Sequence, residues 1–343
     1  MSSEPFGLVV CGMIDEIRRA YEKWGRQAVD LDLSEEAPDT AAAYQTTLAA
    51  PCSVTGPGTF FGQATRTLTF LPAEEPGWWF ERSDLPESLP IRVSVHNVWT
   101  TARNIVLRSG SPHNYMRMVE HIIALRPGLQ IDNLVIRADS GDPPLFDEGS
   151  IDLVRALETA GTRPLERPAE WMTVAEPITL GGRNGSFLTL LPGTAPTLQV
   201  DCATDFPNAI GRQRLRFTLN RGIFRRGAHA RTNASAGMKL YCATIGKLFA
   251  DIRNLGYTDK NILIAGKRRY LNEPRMLHNG KSLEAVWHRA MLDLLAALAL
   301  IENGRLAGRI ISYKAGHALD VEMVRVLYRH NLLVPLAQAP RHD

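Results

Sequence analysis

The pentapeptide Leu68-Thr69-Phe70-Leu71-Pro72 returns in the second half of the chain as Leu188-Thr189-Leu190-Leu191-Pro192. Each copy closes an apolar run with proline, which has no N–H to donate to a ladder, so each reads as the end of a strand. The order of elements around the two copies also matches. In the first half, a strand over Thr65–Leu71 has its hairpin partner over Trp78–Glu81. A helix over Tyr115–Leu125, stopped by Pro127 and Gly128, leads into a strand over Asp132–Arg137. In the second half, strands over Ser186–Leu191 and Leu215–Leu219 precede a long apolar-faced helix over Leu283–Leu300 and a strand over Arg309–Tyr313. This predicts an α+β protein of two related domains, each a small β-sheet packed on helices, with a site at the seam between them.

The expected bounds are residues 47–165 and 166–335, the join falling in the segment TRPLERPAE, with 336–343 as a tail. Residues 1–46 read as a helical appendage. A helix over Met13–Trp24 carries Ile14, Ile17, Tyr21 and Trp24 on one stripe, and an acidic, Ala-rich link follows from Asp30 to Ala43. Any protein partner of that helix is left unspecified.

Composition narrows the function. With 343 residues and 45% apolar content the chain can bury a substantial core. A net charge of +3, from 39 basic and 36 acidic side chains spread along the sequence, argues against nucleic acid as a partner. Cys11, Cys52, Cys202 and Cys242 form no C-x-x-C pair, and they read as core thiols of a reducing compartment. The apolar run Phe6–Ile14 is too short to span a bilayer and follows no basic segment, so no transmembrane segment and a cytoplasmic location are expected.

Three places carry residues suited to catalysis. Glu120 and His121 adjoin inside the apolar MVEHIIAL, where a buried carboxylate and imidazole demand partners. His288 and Asp293 flank an apolar stretch of the long helix, and both are zinc-binding types. Their i, i+5 spacing displaces them by about 140° around a regular α-helix. A π-bulge with Ala290 as the inserted residue would restore a common face, since one extra residue widens the turn; without it Arg289 takes the inward position. His317 follows Gly316 directly after a strand, a place from which an imidazole can project into a cleft.

The landmarks, taken in order, resemble the UDP-3-O-acyl-N-acetylglucosamine deacetylase family of lipid A biosynthesis over almost the whole of residues 52–330. Thr55-Gly56-Pro57-Gly58 is similar to its T-G-x-G turn. Val119-Glu120-His121 with Ile131-Asp132-Asn133 resembles its V-E-H helix and I-D-N. Asp147-Glu148-Gly149-Ser150 looks like its D-G-S turn with one extra residue. Ala230-Arg231-Thr232, Leu271-Asn272-Glu273, Met291-Leu292-Asp293 and Tyr313–Leu319 match its later motifs.

The resemblance implies a zinc-dependent hydrolase that removes the acetyl group from a UDP-linked acylated amino sugar. It implies Zn²⁺ held by His121, His288 and Asp293 with a position left for water, Glu120 as general base, His317 as cationic general acid, Thr232 as an oxyanion donor, and Arg289 where the family has Lys. A gapless alignment would instead put Arg289 at the second histidine ligand; the inserted residue preserves both types. The chain departs from the pattern at Phe60 for a histidine, at Ala297 for the carboxylate that supports the catalytic histidine, and over Asp205–Ala209. Lys267, Arg268, Arg269 and Arg275 make the expected acyl passage, residues 261–278, unusually basic. Another acylamino substrate, or a non-catalytic binding homologue, is the alternative reading.

Overall fold

A computed structural model describes residues 5–58, 64–235, 258 and 260–339. The protein is α+β, built on two principal sheets. The first has five strands in the order Cys52–Pro57, Thr65–Pro72, Leu134–Ala138, Trp78–Arg82, Ile91–Arg92. Phe70, Trp78, Phe80, Leu134 and Ile136 are buried along it, each fully covered large side chain contributing about 1.5–3 kcal/mol. The expected hairpin between Thr65–Pro72 and Trp78–Arg82 does not form: Leu134–Ala138 enters between them, antiparallel to one and parallel to the other. A central strand whose two neighbours are both distant in sequence leaves no local signal of its place.

The second sheet has seven strands in the order Leu8–Cys11, Ile178–Gly181, Phe187–Leu191, Gly308–Tyr313, Leu198–Asp205, Arg212–Thr218, Leu31–Leu33. Its two edges come from the segment expected to be an appendage, which is thereby corrected: Leu8–Cys11 pairs parallel with Ile178–Gly181, and Leu31–Leu33 parallel with Arg212–Thr218. The helix between them, Ile14–Arg26, buries Ile17, Ala20 and Trp24 and stacks Tyr21 on Phe187 at 5.2 Å, so its apolar stripe faces this chain's own sheet. Ile14, expected on that stripe, is exposed.

The proposed join is structured as well. Thr162–Pro168 pairs antiparallel with Tyr44–Leu48, a two-stranded ribbon in place of a linker. Leu333–Pro335 pairs with Trp171–Val174 just before the expected tail. Cys202 is a core thiol, but Cys11 is exposed and Cys52 only partly covered; Cys242 lies outside the described residues. No helix among the described residues is long and apolar enough to cross a membrane.

Between the sheets runs the helical stretch Glu284–Leu298, buried nearly all round, as a helix apolar on every face requires. It joins the buried residues of both sheets into one contiguous core. Gly227, at the end of the helix Arg221–Gly227, lets that helix approach closely: a Cβ there would stand 2.3 Å from Met291 Cγ.

Candidate active site

The helix expected over Tyr115–Leu125 is shorter at its start and longer at its end. Tyr115–Met116 pairs with Val106–Arg108, and helical turns begin only at Glu120, continuing from Leu125 through Pro127 and Gly128 to Leu129. Proline is tolerated in a first helical turn, where its missing N–H has no partner to lose. Glu120 and His121 therefore lie at a helix start rather than mid-helix. Glu120 is 5% exposed, and its Oε2 accepts the Ile105 N–H at 3.1 Å. Burial raises its pKa above the ordinary carboxylate value.

The central helix opens as its spacing requires. Glu284–His288 is α-helical, Arg289–Leu294 is a π-helical turn that includes Ala290, and Leu295–Leu298 returns to α. The wider turn brings His288 and Asp293 to one side, with His288 Nδ1 3.4 Å from Asp293 Oδ1. Arg289 points elsewhere. Its Nε donates to the Ala315 carbonyl at 2.9 Å, and its Nη2 donates to Ser312 Oγ at 3.3 Å and to Asp320 Oδ1.

His121 and His288 face each other, their Nε2 atoms 3.4 Å apart and their rings 5.2 Å centroid to centroid. Thr232 Oγ1 lies 2.9 Å from His288 Nε2 and 3.4 Å from His121 Nε2. His317, the first residue of the helix His317–Arg329, reaches Asp293 Oδ1 at 3.7 Å through Nε2. All seven side chains singled out in the sequence thus belong to one neighbourhood, with Arg289 turned to its flank. Phe60 lies outside the described residues.

Charge follows from this packing. Burial, then the adjacent His288, pushes the His121 pKa down to about 3, so that imidazole is neutral at physiological pH. Burial opposes the charge of Asp293, but His288 and His317 outweigh it and hold its carboxyl well below the usual range. Burial likewise works against protonated His317, yet Asp293 and Glu120 raise its pKa above the ordinary histidine value.

The donor set fits zinc by type and in part by spacing. Two nitrogens each about 2.0–2.1 Å from a tetrahedral zinc lie roughly 3.4 Å from one another, which is the separation of the two Nε2 atoms. Asp293 Oδ1 is a buried carboxylate oxygen with no hydrogen bond. His288, however, turns Nε2 toward His121 and Nδ1 toward Asp293, and no three His, Cys, Asp or Glu donors among the described residues stand in a finished metal-binding arrangement.

Ser150, the last residue of the Asp147–Ser150 turn, has a role that its motif alone does not reveal. Its Oγ donates to the His121 carbonyl at 2.9 Å and lies 3.3 Å from His121 Nδ1, orienting the ring. The positive φ of Gly149 (66°), with the Ala228 carbonyl 2.4 Å from where a Cβ would stand, explains why the turn before it needs glycine.

A buried carboxylate, two facing imidazoles, an aspartate and a third histidine are gathered in one neighbourhood of an α+β fold. The profile of the UDP-3-O-acyl N-acetylglycosamine deacetylase family matches residues 45–329, and the chain belongs to that family. The UDP-3-O-acyl-N-acetylglucosamine deacetylase of Bdellovibrio bacteriovorus is 31% identical over 77% of this chain and 85% of its own length. The deacetylase of the same name from Thermosynechococcus vestitus is 29% identical over 83% of this chain and 94% of its own. That from Cellvibrio japonicus is 28% identical over 82% and 89%.

Proposed function

We propose that the protein is a zinc-dependent deacetylase that removes the acetyl group from UDP-3-O-acyl-N-acetylglucosamine in lipid A biosynthesis. His121, His288 and Asp293 would hold the metal. The observation that carries this reading is the π-helical turn Arg289–Leu294, because in an unbroken α-helix Asp293 would leave the face of His288. The same reading treats residues 47–165 and 166–335 as two related domains with the site at their seam, supported by the recurring strand ends at Pro72 and Pro192 and by one core reaching both sheets.

A bound zinc would supply a Lewis acid and lower the pKa of its water. Glu120, whose pKa burial raises, would take the proton from that water. The Thr232 hydroxyl, close to both imidazoles, is placed to donate to the oxygen on which negative charge develops. His317, whose pKa Asp293 and Glu120 raise against burial, would give a proton to the departing amine. Arg289, pinned to the Ser312–Asp320 segment, contributes a fixed positive charge at the edge of this group.

One observation favours the second reading, the same chemistry on another acylamino substrate. Lys267, Arg268 and Arg269 are all exposed, and so is Leu271, which makes the segment after Ile262–Ala265 a basic surface rather than an apolar one. A series of acyl lengths assayed side by side will show a preference if that surface replaces a tunnel.

The test of the main reading is zinc content by elemental analysis, after mild chelation and zinc readdition, with acetate release in parallel. The parent and Arg289→Ala should bind one zinc per chain and His288→Ala none. Zinc absent from the parent, or retained by His288→Ala, would sink the assignment.

A further inference from the structure

We propose that Asp320 is a positioning residue for His317, acting through Arg289 to hold the turn from which the catalytic imidazole projects; the proposal rests on His317 being the proton donor. Beyond Asp293, the central helix offers this region no further acid, since the residue one turn on is the buried Ala297. Asp320 comes from the other side. It is 1% exposed, lies three residues after His317 on the first turn of His317–Arg329, and so shares a face with it.

The Arg289 guanidinium spans the two elements. Its Nε holds the Ala315 carbonyl, and its Nη2 is shared between Ser312 Oγ at the end of the strand Gly308–Tyr313 and Asp320 Oδ1 at the start of the helix. It therefore grips the chain before, within and after the turn Lys314–Gly316.

That turn needs holding. Lys314 has a φ of 53°, a left-handed conformation unfavourable for a side-chain-bearing residue, and Gly316 caps the helix with no side-chain hydrogen bond. Among the described residues Arg289 Nη1 and Asp320 Oδ2 find no hydrogen bond, so the pair is joined by one arm and is not a closed structural ion pair. Removing the Asp320 charge would release the guanidinium, the Ala315 carbonyl and with them the direction of His317. Substrate contact is no part of this role, so the effect belongs to turnover rather than binding.

The test uses the full chain labelled with ¹⁵N-histidine, parent beside Asp320→Asn and Asp320→Glu, with acetate release measured in parallel. The His317 ring cross-peaks, assigned by their loss in His317→Gln, should shift or broaden in Asp320→Asn while those of His96 and His330 stay. We expect kcat to fall at least about tenfold with KM within about twofold, and Asp320→Glu to recover part of both signals. Unmoved His317 cross-peaks in Asp320→Asn, or kcat within about twofold of the parent, would overturn the proposal. Should Asp320→Asn not fold, Arg289→Ala removes the guanidinium through which Asp320 would act; displaced His317 cross-peaks then support the role, and unmoved ones reject it. A parent that releases no acetate would defeat the functional reading alone, because the ring resonances still judge Asp320.

Discussion

Two aspartates on the two sides of this molecule, one buried and one largely covered, meet the same problem and solve it differently. Asp201, 1% exposed, accepts from Arg214 Nε and Nη2 at 2.8 and 2.9 Å, from Arg216 Nε at 2.7 Å, from Arg309 Nη2 at 3.2 Å and from Trp24 Nε1 at 3.3 Å. Arg214 in turn donates to the carbonyls of Trp24 and Gln27 and stacks 4.2 Å above the Trp24 ring, locking the first helix onto the seven-stranded sheet. Among the described residues Asp293 is approached by two imidazoles, at 3.4 and 3.7 Å from the same Oδ1, which has no hydrogen bond there. The Asp201 charge is saturated and serves the architecture, whereas Asp293 keeps an unsatisfied oxygen beside two imidazoles, the feature on which the proposed metal site rests.

The sharpest way to break this contrast is to neutralise a side chain in each region. Glu120→Gln should lower kcat about 10²–10⁴-fold, or roughly 3–5 kcal/mol of barrier, with the thermal midpoint unchanged or higher because a desolvated acid has been removed. Turnover within tenfold of the parent would remove Glu120 as the base. Asp201→Ala should do the opposite: a loss of about 3–5 kcal/mol in denaturant unfolding, since three guanidinium groups lose their common acceptor, with near-parental kcat per folded molecule. If Asp201→Ala unfolds at the parent's denaturant midpoint, the cluster is not what holds the first helix.

Acid titration sharpens the comparison further. Burial would raise the Asp201 pKa, but the hydrogen bonds and charges of Arg214 and Arg216 outweigh it and hold it below the ordinary value. A depressed folded pKa contributes stability that is fully present above the unfolded value of about 3.9 and is lost as pH falls through the folded one. Asp201→Asn should therefore flatten the acid limb of the stability curve, read by urea unfolding between neutral pH and strongly acidic pH. The smallest effect is expected at Ser150. Ser150→Ala frees the His121 ring and should reduce zinc affinity about tenfold, measured by competition with a chelator, while leaving unfolding nearly unchanged.

The contrast also explains what could be read along the chain. The five-residue step from His288 to Asp293 cannot share one face of an α-helix, and it is the family resemblance, asking both for one metal, that favours the inserted residue now seen as a π-helical turn over the register with Arg289 inward. Ordered short motifs located Glu120, His121, Thr232 and His317 through the same resemblance. Ser150 and Asp320 were in plain view beside those motifs, but their roles depend on partners such as His121 and Arg289 that come from other elements. Leu8–Cys11 and Leu31–Leu33 were harder still. A strand of three or four residues paired in parallel with a segment over a hundred residues away has no periodicity or turn of its own to announce it.

By itself the sequence determined the α+β class and the set of chemical types at the site, because propensity, period and motif spacing act over a few residues, while the choice between the two registers of the central helix waited for the structure. Tertiary structure alone decided that residues 8–33 frame the second sheet, that Leu134–Ala138 divides the expected hairpin, and that Arg289 turns to Asp320 instead of joining His121 and His288. Those outcomes depend on which buried charges find acceptors and which strand edges find partners, and both are settled only when distant parts of the chain are packed together.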